Sequence, residues 1–200
     1  MTTTLNASTA GAGGFIATSD NSGSLALQTA GTTALSIDAS QNITTTNKFA
    51  KASMPTGSVL QVVSATYATQ VSSTSGTYAT TGLTASITPS SATNKIAVFA
   101  MVSYQTLGNN TGLGIALYKG GSVLWNPSEA YSGGPYGAAY GSASALCGFI
   151  PLNYIDSPAT TSSTTYAIYF ASYNATGVRV QPSDTANNSQ SSIILMEIAV

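Results

Sequence analysis

The chain has 200 residues and carries only five Lys and Arg against six Asp and Glu, with no His and a formal net charge of −1. That balance excludes a nucleic-acid surface, which needs clustered cations to displace counterions from phosphate, and it removes His-based triads and the commonest metal ligand. Ser and Thr make up more than a quarter of the residues, with 19 Gly and 43% hydrophobic residues: a vocabulary of short strands and turns, with enough apolar mass for a core.

Residues 1–14 are small, polar and Gly-rich, and lack the basic start and apolar run of a signal peptide. From Phe15 the pattern becomes sparse β. The segments 15–18, 24–29, 33–37 and 42–45 are expected strands, and 20–23, 30–32 and 38–41 are expected turns. Their large apolar residues are too few to stabilise a domain alone. Copies from several chains could pool them in an intertwined β-stem; the alternative is an arm that folds on a partner. Residues 1–46 are therefore read as attachment arm and stem, 47–55 as a neck containing Lys48 and Lys51, and 56–200 as a head.

The head opens with alternating apolar residues at 59–63 and a second stretch at 67–71, then a Ser-rich turn at 72–76. Leu83, Ala85 and Ile87 alternate with Thr84, Ser86 and Thr88, the period of a half-buried strand. Pro89 to Asn94 breaks it. The next strand, 96–104, is apolar on both sides, with Ile96, Val98, Ala100 and Val102 opposite Ala97, Phe99 and Met101. An antiparallel strand usually keeps one wet face, so one side is assigned to the core and the other to a subunit interface. A strand at 112–118 leads through the Gly120-Gly121 hairpin into 123–125. A Tyr- and Gly-rich loop fills 126–142, and a strand at 143–150 is expected to stop at Pro151. Cys147 lies in that apolar run and is expected to be buried. A polar loop at 156–164, strands at 165–173 and 177–181, and a final strand at 192–200 complete the chain. The last strand is again apolar on both sides, with Ile194, Met196 and Ile198 opposite Ile193 and Leu195. Eight to ten head strands with closely spaced turns predict an all-β, jelly-roll-like sandwich. The two double-faced strands mark Phe99, Met101, Ile194, Met196 and Ile198 as candidates for a subunit interface of an oligomer.

The stem phrase SGSLALQTAGTTALSIDASQNI (22–43) and the head phrases PTGSVLQVVSATY (55–67) and TGLTASITPSSATNKIAVFAMVSY (81–104) resemble tail-fibre and virion surface structural proteins of bacteriophages, of the marine and cyanobacterial type. The ending ILMEIAV (194–200) resembles them loosely, and 105–190 is not matched. The resemblance implies a trimer with a β-stem and a jelly-roll-like head on the exterior of a phage particle, on tail or capsid. It brings no catalytic residue.

The six carboxylates, Asp20, Asp38, Glu129, Asp156, Asp184 and Glu197, are scattered, most of them in expected turns or loops, whereas a glycosidase needs two facing one sugar. Glu197 interrupts the last apolar strand, and a partner such as Lys95 or Arg179, or a wet strand end, is expected for it. Gly11 to Gly14 has neither the preceding strand nor the following helix of a dinucleotide loop. No catalytic residue, metal ligand or cofactor is expected. The stretch able to recognise something is WNPSEAYSGGPYGAAY, where Trp125, Asn126, Glu129, Tyr131, Tyr136 and Tyr140 combine aromatic faces with adaptable polar neighbours. They either hold a host-surface glycan or pack the loop onto the head. The reading is a non-enzymatic trimeric short tail fibre adhering to a host surface, held to other virion proteins through residues 1–46, or a capsid decoration protein. No nucleic-acid partner and no membrane insertion are expected.

Overall fold

The alternation in the sequence becomes strands throughout. The computed structural model describes residues 23–45, 51, 54–127, 130–131, 134–135, 138–141, 145–183 and 188–200, and no α-helix occurs among them. The expected strand at 15–18, most of the neck including Lys48, and the site candidates Glu129 and Tyr136 lie outside the described residues. The chain divides into two compact units, Met1–Ala50 and Lys51–Val200.

In the first unit, β1 (Leu25–Thr29), β2 (Thr32–Ile37) and β3 (Ile43–Thr45) form an antiparallel sheet in that order. A two-residue turn at Ala30-Gly31, both at positive φ, joins the first pair. The Asp38 carboxylate closes the second connection: Oδ1 accepts from the Ser40 and Asn42 backbone N–H groups, and Oδ2 from the Asn42 amide. The register sets Leu25 opposite Ile37, Ile37 opposite Ile43, and Leu27 opposite Leu35. Five apolar side chains thus share one face of a three-stranded sheet, and Leu25, Leu27 and Ile43 remain about half exposed or more.

The second unit holds β4 (Val59–Tyr67), β5 (Val71–Ser73), β6 (Ala79–Ile87), β7 (Lys95–Thr106), β8 (Thr111–Lys119), β9 (Ser122–Trp125), β10 (Ala130–Tyr131), β11 (Gly134–Pro135), β12 (Ala139–Gly141), β13 (Cys147–Asp156), β14 (Thr164–Ser172), β15 (Val178–Val180) and β16 (Ser191–Ile198). Two sheets face each other. In one, β7 pairs with β13 along nearly its whole length. On its other side β7 pairs with β16 up to Met101 and with β15 from Tyr104, and β4 and β5 flank those two. In the other, β6, β14 and β8 are neighbours, with β12 and β9 sharing the far edge of β8. The order β4–β16–β7–β13 facing β6–β14–β8–β9 is a jelly-roll-like β-sandwich layout. The core between the sheets is built from alternate residues: Ile96, Val98, Ala100 and Val102 of β7; Leu113, Ile115 and Leu117 of β8; Tyr166, Ile168 and Phe170 of β14; and Ile193 and Leu195 of β16.

Four expectations from the sequence are corrected. Pro151 does not end its strand. β13 runs through it to Asp156 as an edge strand paired only with β7, where a missing N–H costs no ladder bond. Cys147 is exposed, because it falls on the same side of β13 as Phe149 and Pro151, away from buried Ile150 and Leu152. Asp156 is no loop residue: it ends β13, buried, beside Lys119 and Tyr166. The turn expected from residue 72 begins later, since β5 extends to Ser73 as a partner of β15.

Gly82 sits at φ +84°, and a Cβ there would lie 2.3 Å from the Tyr67 ring, which packs against the core. Gly82→Ala must therefore both strain the backbone and displace a ring that fills the end of the sandwich, and a loss of about 2–4 kcal/mol in chemical denaturation is expected. At Gly120, also at positive φ but with open space around it, the same change is expected to cost only about 1 kcal/mol.

Candidate functional site

The largest chemical anomaly of the second unit is the outer face of the β13–β7–β16–β4 sheet. Successive rows crossing that face read Ile155–Ala97–Met196–Val62, then Asn153–Phe99–Ile194–Ser64, then Pro151–Met101–Ser192–Thr66. Phe149 continues the surface on β13. Phe99 and Met101 are each 45% exposed, and Phe149 and Ile155 more than 60%. Hollows lie between these knobs, lined by Phe99, Met101, Pro151 and Ile194 on one side and by Phe99, Tyr154 and Ile155 on the other. By order of magnitude the exposed apolar side-chain area is ~500 Å², at the upper end of what a monomer displays.

All five residues singled out as interface candidates, Phe99, Met101, Ile194, Met196 and Ile198, lie on the strands of this face and alternate with the buried core residues. Sequence reasoning missed Phe149, Pro151 and Ile155. Their signal was present, since they alternate with Ile150, Leu152 and Tyr154, but the strand had been cut at Pro151.

The Tyr-rich segment does not gather its candidates into one place. Trp125 lies opposite Leu117, packs against the core and stacks on Tyr154, with centroids 5.5 Å apart. Asn126 accepts a hydrogen bond from the Tyr78 hydroxyl at 3.1 Å. Tyr140 lies opposite Gly112, roughly 17 Å farther along β8 at 3.4 Å per residue. There it is 43% exposed, meets the Tyr173 ring edge-on and donates to the Asn110 carbonyl of the side-chain amide. Tyr131 belongs to β10, which pairs with β11. Trp125 therefore serves the interior, while Tyr140 stands on the outer side.

No protein-family model matches the chain, and no curated protein matches it. Among solved structures, it is similar to the VP2 subviral particle of infectious bursal disease virus, at 15% identity and a TM-score of 0.41 over 70% of this chain and 33% of that one. It is also similar to the Gx strain of the same virus, at 15% identity and a TM-score of 0.39 over 70% of this chain and 37% of that one. The chain spans about a third of the length of the structures it matches, and a likeness of this degree says nothing about function.

Two carboxylates of the second unit, Glu197 and Asp156, are bound into the framework. Glu197 points inward, fully buried. Its Oε1 accepts from the Ser90 backbone N–H, the Ser90 hydroxyl and the Asn94 amide, and its Oε2 from the Gln61 amide at 2.6 Å. Lys51 stands 3.7 Å from Oε2, so neither Lys95 nor Arg179 is the partner, and the strand end is not wet. Burial pushes this carboxyl up, but the bonds from Asn94, Ser90 and Gln61 outweigh it and hold the pKa at about 2. At the other cluster the Lys119 ammonium lies 3.0 and 2.9 Å from the two Asp156 oxygens, and the Tyr166 hydroxyl donates to Oδ2 at 2.6 Å. Burial, that hydrogen bond and the Asp156 charge push the Tyr166 phenol far above its ordinary value. Arg179 donates to the Gln105 amide oxygen. Each carboxylate is saturated by framework donors, which leaves neither one poised as a general base.

A folded pKa held below the ordinary 4.5 makes Glu197 a stabilising group above pH 4.5, and its contribution is lost as pH falls through about 2. Urea unfolding is expected to show ~3 kcal/mol less stability at pH 2 than at pH 6 from this group. Glu197→Gln is expected to be less stable at neutral pH and to lose that part of the acid slope.

Proposed function

We propose that the chain is a non-enzymatic structural protein on the surface of a bacteriophage particle, a homotrimer that serves as a short tail fibre adhering to the host. The observation that carries this reading is the uncovered apolar face around Phe99, Ile194, Met196, Phe149 and Ile155. A single chain leaves it in water, whereas identical copies around a threefold axis cover it for one another. The first unit poses the same problem, since Leu25, Leu27, Leu35, Ile37 and Ile43 share one face of a three-stranded sheet and Leu25, Leu27 and Ile43 stay about half exposed or more. Three copies of that sheet would pool these side chains into the core of a stem. The stem and head phrases that resemble phage fibre proteins support the same assignment, with residues 1–46 attaching to other virion proteins and the head presented outward.

A capsid decoration protein is the second reading, and the shortness of the described stem strands accommodates it. The longest, β2, has six residues and reaches only ~20 Å, which suits a knob as well as a short fibre.

Light scattering of the full chain is expected to give the mass of three chains. Placing charges on the outer face without touching the core, as in Phe99→Asp combined with Ile194→Asp, is expected to yield monomers. A native chain that is monomeric at micromolar concentration rejects the trimer. Quantitative mass spectrometry of purified particles separates the two readings: few copies relative to the major capsid protein place the chain on the tail, and comparable numbers place it on the capsid.

A further inference from the structure

The outer face of the opposite sheet, β6–β14–β8–β9, is chemically unlike the first. Tyr118 and Tyr169 stand on it side by side, ring centroids 3.8 Å apart and planes inclined by 15°. Tyr118 lies opposite Ala167 of β14 and Val123 of β9, and Tyr169 opposite Ala116 of β8 and Thr80 of β6. Of these neighbours Val123 is the one larger apolar side chain, 57% exposed beside Tyr118, and the others are Ala and Thr. Across β14 the strand β6 lines the face with Thr80, Thr84 and Ser86, all exposed.

A cross-strand aromatic pair can exist for sheet stability alone. Two features go beyond that. Both rings are half-buried, and both phenol hydroxyls reach solvent with no hydrogen-bond partner among the described residues, so they are available to a ligand. The face is also uncharged: the one charged residue on β6, β8, β9 and β14 is Lys119, which is committed to Asp156. An anionic ligand finds no cation here. What fits is a neutral ring with C–H groups on one side and hydroxyls at its rim, a pyranose laid against an aromatic surface with the two phenol O–H groups beside it.

We infer that the Tyr118–Tyr169 pair is a binding platform for a neutral glycan. The inference rests on the proposed function only for its biological sense: burying the apolar sheet at a trimer axis turns this second sheet outward. The binding itself does not require the trimer.

The test is saturation-transfer NMR on the full chain with neutral oligosaccharides of galactose, glucose and N-acetylglucosamine, with the mass of each sample checked by light scattering. Transfer to pyranose C–H protons is expected from at least one of them, and Tyr118→Ala with Tyr169→Ala is expected to weaken it about ten-fold or more. Ala167→Arg, on the half-exposed floor beside Tyr118, keeps both rings and the core and is expected to block the site. No transfer from any of the three sugar classes overturns the inference, and so does transfer that survives Ala167→Arg in a folded protein. A monomeric sample that still binds sugar removes the trimer and leaves the platform standing. A trimeric sample that binds none does the reverse.

Discussion

Strand β7 is the constraint around which the second unit is arranged. It is twelve residues long and too long for one partner on its β16 side, so two strands share that edge, β16 to Met101 and β15 from Tyr104. The seam between them is closed by one side-chain and one backbone bond: the Ser191 hydroxyl accepts from the Ser103 N–H, and the Gln181 backbone N–H donates to the Ser103 carbonyl. A backbone gap of this kind, buried without such partners, would cost what lost hydrogen bonds cost. The same strand supplies four core residues on one side and Phe99 and Met101 on the other. Core and outer surface are therefore two readings of one period-two pattern, and a shift by one residue would exchange them.

The edges of the sandwich are closed by charge. Glu197 draws Gln61 of β4, the Ser90–Asn94 connection and Lys51 onto β16. Asp156 draws Lys119 of β8 and Tyr166 of β14 onto β13 and so ties one sheet to the other. Buried charges persist only when paired and hydrogen-bonded, and here the pairing binds both carboxylates into the framework. The two outer faces consequently differ in kind: one is apolar and knobbed, the other small, hydroxylated and aromatic.

Much of this was legible in the sequence because it rests on local pattern. The Gly120-Gly121 hairpin follows from turn chemistry, and both glycines adopt positive φ. The double-faced character of 96–104 and 192–198 follows from alternation. What was not legible depends on tertiary position. Pro151 reads as a stop unless the strand is known to be an edge. Cys147 reads as core until the register shows which side of β13 it occupies. Asp156 reads as a turn former until Lys119 and Tyr166 arrive from distant strands. The partners of Glu197 lie more than a hundred residues away in sequence, beyond the reach of any spacing rule. The Tyr-rich segment misled in the opposite direction: composition grouped Trp125 with Tyr140, but pairing to different ends of β8 separates them.

The scarcity of charge has a colloidal consequence. Of eleven charged side chains in the chain, four are tied into the Glu197–Lys51 and Asp156–Lys119 pairs. The surface that remains is hydrated by Ser, Thr and Asn hydroxyls and amides, which bind water through short-range bonds that dissolved ions do not screen. Long-range attraction and repulsion, the terms that salt attenuates within a Debye length, are nearly absent from the start. A particle coated with such chains would behave much the same in dilute water and in brine.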